Sequence, residues 1–92
     1  MSGAPVAQQV VVHGRVQGVF FRESTRRRAE QAGVADWIAN RADGTVEAFF
    51  EGAPDDVGVL VDYVHRGPEG ASVERVEAQD AEPEGLRGFE TR

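Results

Sequence analysis

Residues 14–22, Gly-Arg-Val-Gln-Gly-Val-Phe-Phe-Arg, hold the groups of this chain that are best suited to bind an anion. Gly14 and Gly18 let the backbone turn tightly and expose its N–H groups. The segment leads into a predicted helix, whose N-terminus adds partial positive charge at the same place. Arg22 adds a full charge and a planar set of donors that matches phosphate geometry. We therefore interpret this segment as a binding loop for a phosphoryl group.

The composition indicates one small folded unit. With 92 residues, the chain is expected to form a single domain, with residues 1–7 as a loose tail and residues 8–92 as the folded part. A hydrophobic fraction of 40% and a charged fraction of 28% are typical of a soluble globular protein. The chain contains no cysteine, which excludes disulfides and thiolate metal sites.

The charge balance argues against anionic partners. The net charge is −6, and all ten basic residues are arginine. Such a chain is a poor general partner for nucleic acid or for an anionic membrane, because both are bound through cationic surfaces. Residues 1–9 lack the regions of a signal peptide, and no apolar run approaches transmembrane length. We expect a cytoplasmic protein without a nucleic-acid or membrane partner.

Hydrophobic patterning predicts two helices and five strands. In the clearest helix, Val57, Leu60, Val61 and Val64 follow the spacing i, i+3, i+4 and i+7. The pair Asp43-Gly44 is a strong signal for a two-residue hairpin turn. The alternation of the fourth strand slips between residues 73 and 76, which indicates a bulge, and residues 79–85 are predicted to be an acidic loop. The predicted helices cover 21–32 and 54–66, and the strands cover 9–13, 34–41, 45–51, 72–78 and 86–92.

The order of these elements is β-α-β-β-α-β, followed by a short extra C-terminal strand. This order predicts an α+β, ferredoxin-like sandwich, with an antiparallel sheet and both helices packed on one face. Many unrelated functions use that arrangement, so the function has to be argued from the site.

Two segments resemble the signatures of the acylphosphatase family. The first is Val-His-Gly-Arg-Val-Gln-Gly-Val-Phe-Phe-Arg at 12–22, and the second is Trp-Ile-Ala-Asn-Arg-Ala-Asp-Gly-Thr-Val at 37–46, which runs on to Gly52. Their order and separation also fit, and the element order is similar over essentially the whole chain. Two positions depart from the family pattern, because Asp36 replaces the usual glycine and Ile38 a smaller residue.

The resemblance implies hydrolysis of a small acyl phosphate to a carboxylate and inorganic phosphate, by a monomer that uses no metal and no other cofactor. It implies that Arg22 is catalytic and holds the phosphoryl group together with backbone N–H groups of the loop. It also implies that Asn40 is catalytic and positions the attacking water. The loop residues concerned are Val16, Gln17, Gly18, Val19 and Phe20.

The chemistry is consistent with this implied reaction. Phosphoryl transfer depends mainly on positioning and charge stabilisation. The leaving group is a carboxylate whose conjugate acid has a pKa of about 4, so no general acid is required. A neutral carboxamide such as Asn40 can accept a hydrogen of the attacking water. The proton acceptor is left open between the substrate phosphate and bulk water.

Two alternatives compete with this reading. A ferredoxin-like module that binds RNA or a small effector would need exposed aromatic residues and a basic sheet face, whereas these strands carry acidic residues at 47, 51, 74 and 77. A relic that binds phosphate without turnover is disfavoured because Arg22 and Asn40 are both intact. Taken alone, Asn40 could be a turn residue, His13 a structural strand residue and Trp37 a core residue.

Overall fold

A computed structural model of the chain describes residues 4–18, 20–86 and 88–91. The observed order of elements confirms the predicted βαββαβ arrangement with an additional C-terminal strand. Both helices have the bounds predicted from the sequence. The elements are β1 (Val6–Arg15), α1 (Phe21–Ala32), β2 (Ala35–Asn40), β3 (Val46–Gly52), α2 (Pro54–Arg66), β4 (Ser72–Ala81) and β5 (Phe89–Thr91).

The strands form one sheet in the order β4-β1-β3-β2-β5. The pairs β4–β1, β1–β3 and β3–β2 are antiparallel, whereas β5 pairs in parallel with β2. Because β1 and β2 are both antiparallel to β3, they run in the same direction, and their C-terminal ends lie at the same edge of the sheet. The loop after β1 and the last residue of β2, Asn40, are therefore near one another.

The main core lies between the two helices and one face of the sheet. The helices contribute Phe21, Thr25 and Ala29 from α1 and Val57, Leu60 and Val64 from α2. The sheet contributes Val10, Val12, Ile38, Val46, Ala48 and Phe50. None of the described helices is both long and apolar enough to span a membrane.

The boundaries of β1 and β4 differ from the prediction. β1 begins at Val6, inside the segment assigned to the tail, and β4 continues to Ala81, inside the segment assigned to an acidic loop. Ala7 explains both differences, because it pairs with Glu51 of β3 on one side and with Ala81 of β4 on the other. Backbone pairing with a central strand thus extends both ends, and the polar residues of β4 are exposed.

A second, smaller core covers the other face of the sheet. The sequence suggests that Phe49 is partly exposed, but it is only 3% exposed, and its ring stacks on Trp37 with the centroids 5.8 Å apart. Leu86 packs against this pair. The Glu51 carboxylate holds the covering segment in place by accepting hydrogen bonds of 2.7–3.2 Å from the backbone N–H groups of residues 84–86.

A bulge interrupts the pairing of β1 with β4 near the C-terminal end of β1. His13 pairs with Arg75 and Gly14 pairs with Val73, so Glu74 is the extra residue, which confirms the predicted bulge between residues 73 and 76. Gly14 has a φ of 128°, and a Cβ atom there would lie 2.1 Å from the carbonyl oxygen of Ser72. The close approach of the two backbones therefore requires glycine.

The Gly14→Ala variant is expected to lower the free energy of unfolding by about 3 kcal/mol, because a strained φ and a backbone clash add together. Gly44→Ala is the matched control. Gly44 also has a positive φ, 91°, but apart from its chain neighbours no atom lies within 4 Å of the point that a Cβ atom would occupy. Urea denaturation measures both variants. Equal losses of stability in the two would contradict the role assigned to the bulge.

Candidate active site

The loop between β1 and α1 is held at both of its sides. The side chain of Val16 is buried in the main core. The side-chain amide of Gln17 donates hydrogen bonds of 2.9 Å to the carbonyl oxygens of Arg41 and Thr45, on either side of the β2–β3 turn. The loop is thereby tied to the segment that directly follows Asn40.

A pocket of about 400 Å³ lies between this loop, the first two turns of α1 and β2. Arg22 enters it from the helix, and Asn40 enters it from the end of β2. The described residues that line it are Val16, Gly18, Phe20, Phe21, Arg22, Glu23, Arg26, Ile38 and Asn40. Two residues that are 18 positions apart in the sequence, and that were singled out from it, therefore face one pocket.

The predicted loop residues divide into three groups. Val16, Gly18 and Phe20 line the pocket together with Arg22 and Asn40. Gln17 is absent from the lining, and its side chain instead fixes the loop to the β2–β3 turn. Val19 lies outside the described residues.

The N-terminus of α1 opens towards the pocket without a capping side chain. Phe20 occupies the N-cap position, and no side chain makes a capping hydrogen bond there. A helix leaves its first N–H groups without intrahelical partners, and their partial positive charge favours an anion. Phe21 and Arg22, the first two residues of the helix, both line the pocket. The site thus combines helix-terminal N–H groups with the full positive charge of Arg22.

Four lining residues are not predicted as site residues from the sequence: Phe21, Glu23, Arg26 and Ile38. Arg26 lies one turn after Arg22, and the i, i+4 spacing could have revealed it, although the run 26–28 is more simply explained as a solvated helix face. Glu23 lines the pocket as well, and its carboxylate lies 3.6 Å from the guanidinium of Arg26 and 3.8 Å from that of Arg27. Ile38 lines the pocket from the middle of β2, two residues before Asn40 and on the same face of the strand.

Asp36 lies on that same face of β2, behind the pocket and beneath α1. It is 0% exposed, and within the described part of the chain neither of its carboxylate oxygens has a hydrogen-bond partner. Burial raises the pKa of the Asp36 carboxyl from 3.8 to about 7; the positive charge of Arg26 acts against this rise, and the negative charge of Glu30 adds to it. Asp36 is therefore a buried acid that keeps its proton at mildly acidic pH.

This raised pKa predicts a stability that depends on pH. Between about pH 4 and pH 7 the folded state keeps a proton that the unfolded state has released, so stability falls as the pH rises. We expect Asp36→Asn, which cannot ionise, to be about 2–4 kcal/mol more stable relative to wild type at pH 8 than at pH 4. Urea denaturation at both pH values tests this. A difference that is the same at both would contradict a buried ionisable Asp36.

His13, the other polar candidate near the loop, belongs to a different environment. Its Nε2 lies 2.6 Å from Oε1 of Glu77, and it is not among the pocket lining. The hydrogen bond with His13, assisted by the charge of Arg75, lowers the pKa of the Glu77 carboxyl. In the described ranges, no three His, Cys, Asp or Glu side chains are grouped so that they could hold a metal ion.

Comparison with known proteins extends these observations. A family model described as Acylphosphatase matches residues 8–91. An acylphosphatase from Rubrobacter xylanophilus is 56% identical over 86 residues, which are 91% of this chain and 77% of that protein. One from Haloarcula marismortui is 51% identical over 83 residues, which are 90% of this chain and 91% of that protein. The solved structure of an acylphosphatase from Coxiella burnetii matches with a TM-score of 0.91 at 35% identity, covering 96% of this chain and 93% of that one.

Proposed function

Since this chain belongs to the acylphosphatase family and hydrolyses acyl phosphates, we propose that the pocket between the β1–α1 loop and β2 is where that reaction takes place. In this proposal Arg22 and the loop hold the phosphoryl group, and Asn40 positions the water. The observation that carries it is that Arg22 and Asn40 line the same pocket although they come from different elements.

The phosphoryl group is bound by the loop side of the pocket. The guanidinium of Arg22 donates to two phosphoryl oxygens, and N–H groups from residues 16–20 and the first turn of α1 donate to the others. Charge spreads over these oxygens as the bond to the carboxylate breaks, so donors fixed in place stabilise the transition state more than the bound substrate. The positive charge of Arg26 at the same wall adds to this effect.

The attacking water is held from the strand side. The carboxamide oxygen of Asn40 accepts one hydrogen of the water and so directs the lone pair of the water oxygen at phosphorus. The leaving carboxylate needs no protonation, because its conjugate acid has a pKa of about 4. The proton of the water passes to the substrate phosphate or to bulk water. Glu23 is the single carboxylate among the described lining residues, and it forms ion pairs with Arg26 and Arg27.

We further propose a cytoplasmic monomer that forms one domain and has no nucleic-acid or membrane partner. The net charge of −6 supports the absence of nucleic-acid and anionic membrane partners, because a polyanionic partner would be repelled. The burial of the aromatic residues on the second face of the sheet argues against an RNA-binding module. Trp37 and Phe49 are 8% and 3% exposed, so they are not available for stacking on bases.

Hydrolysis in the presence of a chelator tests the proposal as a metal-free reaction. Purified protein is expected to release inorganic phosphate from benzoyl phosphate at the same rate with and without EDTA, because no step of the proposed mechanism uses a metal ion. Phosphate release and loss of the acyl phosphate are both followed, and an enzyme-free sample is subtracted. Activity that disappears with EDTA and returns with a divalent cation would contradict the proposed mechanism.

A further inference from the structure

Phe20 combines two properties that are unusual for a large apolar residue. The residue is 82% exposed, and its backbone has a φ of 58°, the single positive φ of a non-glycine residue in the described ranges. It also lines the pocket, directly before the first turn of α1. The most exposed large apolar side chain given by the structure therefore lies at the entrance of the proposed active site.

Neither property is explained by the stability of the fold. The left-handed backbone region disfavours bulky side chains, and glycine would adopt it at lower cost. The exposed ring is not part of either apolar core. A strained backbone and an exposed aromatic ring at a binding pocket together point to a role in contacting a ligand.

The arrangement of the pocket indicates which part of the substrate the ring of Phe20 can contact. In the proposed function the phosphoryl group lies between Arg22, the loop N–H groups and Asn40. The acyl group is bonded to that phosphoryl group on the side opposite the attacking water, so it extends away from Asn40 and out of the anion site. Phe20 presents an apolar surface at this entrance, and an aromatic ring favours contact with another aromatic or apolar group.

We propose that Phe20 is a specificity-determining residue that contacts the acyl group and favours acyl phosphates with an aromatic or bulky apolar acyl group over those with a small one. The proposal rests on the proposed function, because it takes the position of the phosphoryl group from it. Binding by the ring contributes to recognition of the acyl group, whereas Arg22 and the loop recognise the phosphate that all acyl phosphates share.

The test compares benzoyl phosphate with acetyl phosphate as substrates of wild type, Phe20→Ala and Phe20→Trp. The measured quantity is the ratio of kcat/KM for benzoyl phosphate to kcat/KM for acetyl phosphate, in which any general effect on the loop cancels. We expect Phe20→Ala to lower this ratio about five- to tenfold, mostly through KM for benzoyl phosphate, as loss of an aromatic contact would. Phe20→Trp keeps an aromatic surface and is expected to keep the ratio within about twofold of wild type.

A matched control removes an exposed apolar side chain elsewhere. Val59→Ala, at an exposed position of α2 outside the pocket, is expected to leave the ratio unchanged. An unchanged ratio in Phe20→Ala, with hydrolysis of both substrates retained, would overturn the specificity role alone. Absence of hydrolysis of both substrates by wild type would overturn the proposed function, and the specificity role with it.

Discussion

Asn40→Ala is expected to lower kcat for benzoyl phosphate by about a hundredfold or more, while inorganic phosphate inhibits the variant about as strongly as wild type. The physical reason is that Asn40 positions the water, whereas other residues bind the phosphoryl group. Without its carboxamide the water still enters the pocket but is not directed at phosphorus. Steady-state kinetics and the inhibition constant of phosphate measure the two effects separately.

The control for Asn40→Ala is Gln79→Ala, which removes an exposed carboxamide from β4, away from the pocket. It is expected to keep the wild-type kcat. Circular dichroism and the urea midpoint establish that both variants are folded. A wild-type kcat in Asn40→Ala would show that the water is oriented by another group. A large loss of phosphate inhibition in that variant would instead assign Asn40 to phosphate binding.

Arg22→Ala is expected to weaken both binding and turnover. The variant loses a charged donor pair that contacts the phosphoryl group before and during the reaction. We expect kcat/KM to fall by about a thousandfold and the inhibition constant of phosphate to rise by at least about tenfold, because a charged hydrogen bond contributes about 1.5–3 kcal/mol. Competition between inorganic phosphate and benzoyl phosphate gives both values.

Arg27→Ala is the matched control for Arg22→Ala. It removes one positive charge from the same helix, but its side chain is exposed and outside the pocket lining. It is expected to change kcat/KM by no more than about threefold, since an exposed charge acts only through the screened field of the protein. Equal losses in the two variants would mean that Arg22 contributes general charge and does not bind the phosphoryl group directly.

Several elements of the fold could be predicted because their determinants are local. Helix α2 has a proline at its first position, a glycine just after its end and apolar residues at helical spacing, and its observed bounds agree with those features. The β-bulge is also indicated locally, by the slipped alternation in the sequence of β4. The ends of β1 and β4 could not be predicted from local sequence. Their extension depends on pairing between residues such as Ala7 and Ala81, which are far apart in the chain.

In the candidate site, too, some features are recognisable in the local sequence and others depend on tertiary packing. The glycines and Arg22 are recognisable in one short segment, and the antiparallel topology explains why the end of β2 brings Asn40 to them. The contributions of Arg26 and Ile38 depend on how α1 is rotated over the sheet, which local sequence does not specify. The burial of Phe49 depends on the segment that Glu51 holds over it, and the raised pKa of Asp36 depends on its position beneath α1.

The most direct test of this account is hydrolysis of an acyl phosphate in water enriched in oxygen-18, with mass spectrometry of both products and subtraction of the enzyme-free reaction. We expect the label to enter inorganic phosphate, because the water positioned by Asn40 attacks the phosphorus held by Arg22 and the loop. Label in the carboxylate would show that water attacks the carbonyl carbon, and it would contradict the account.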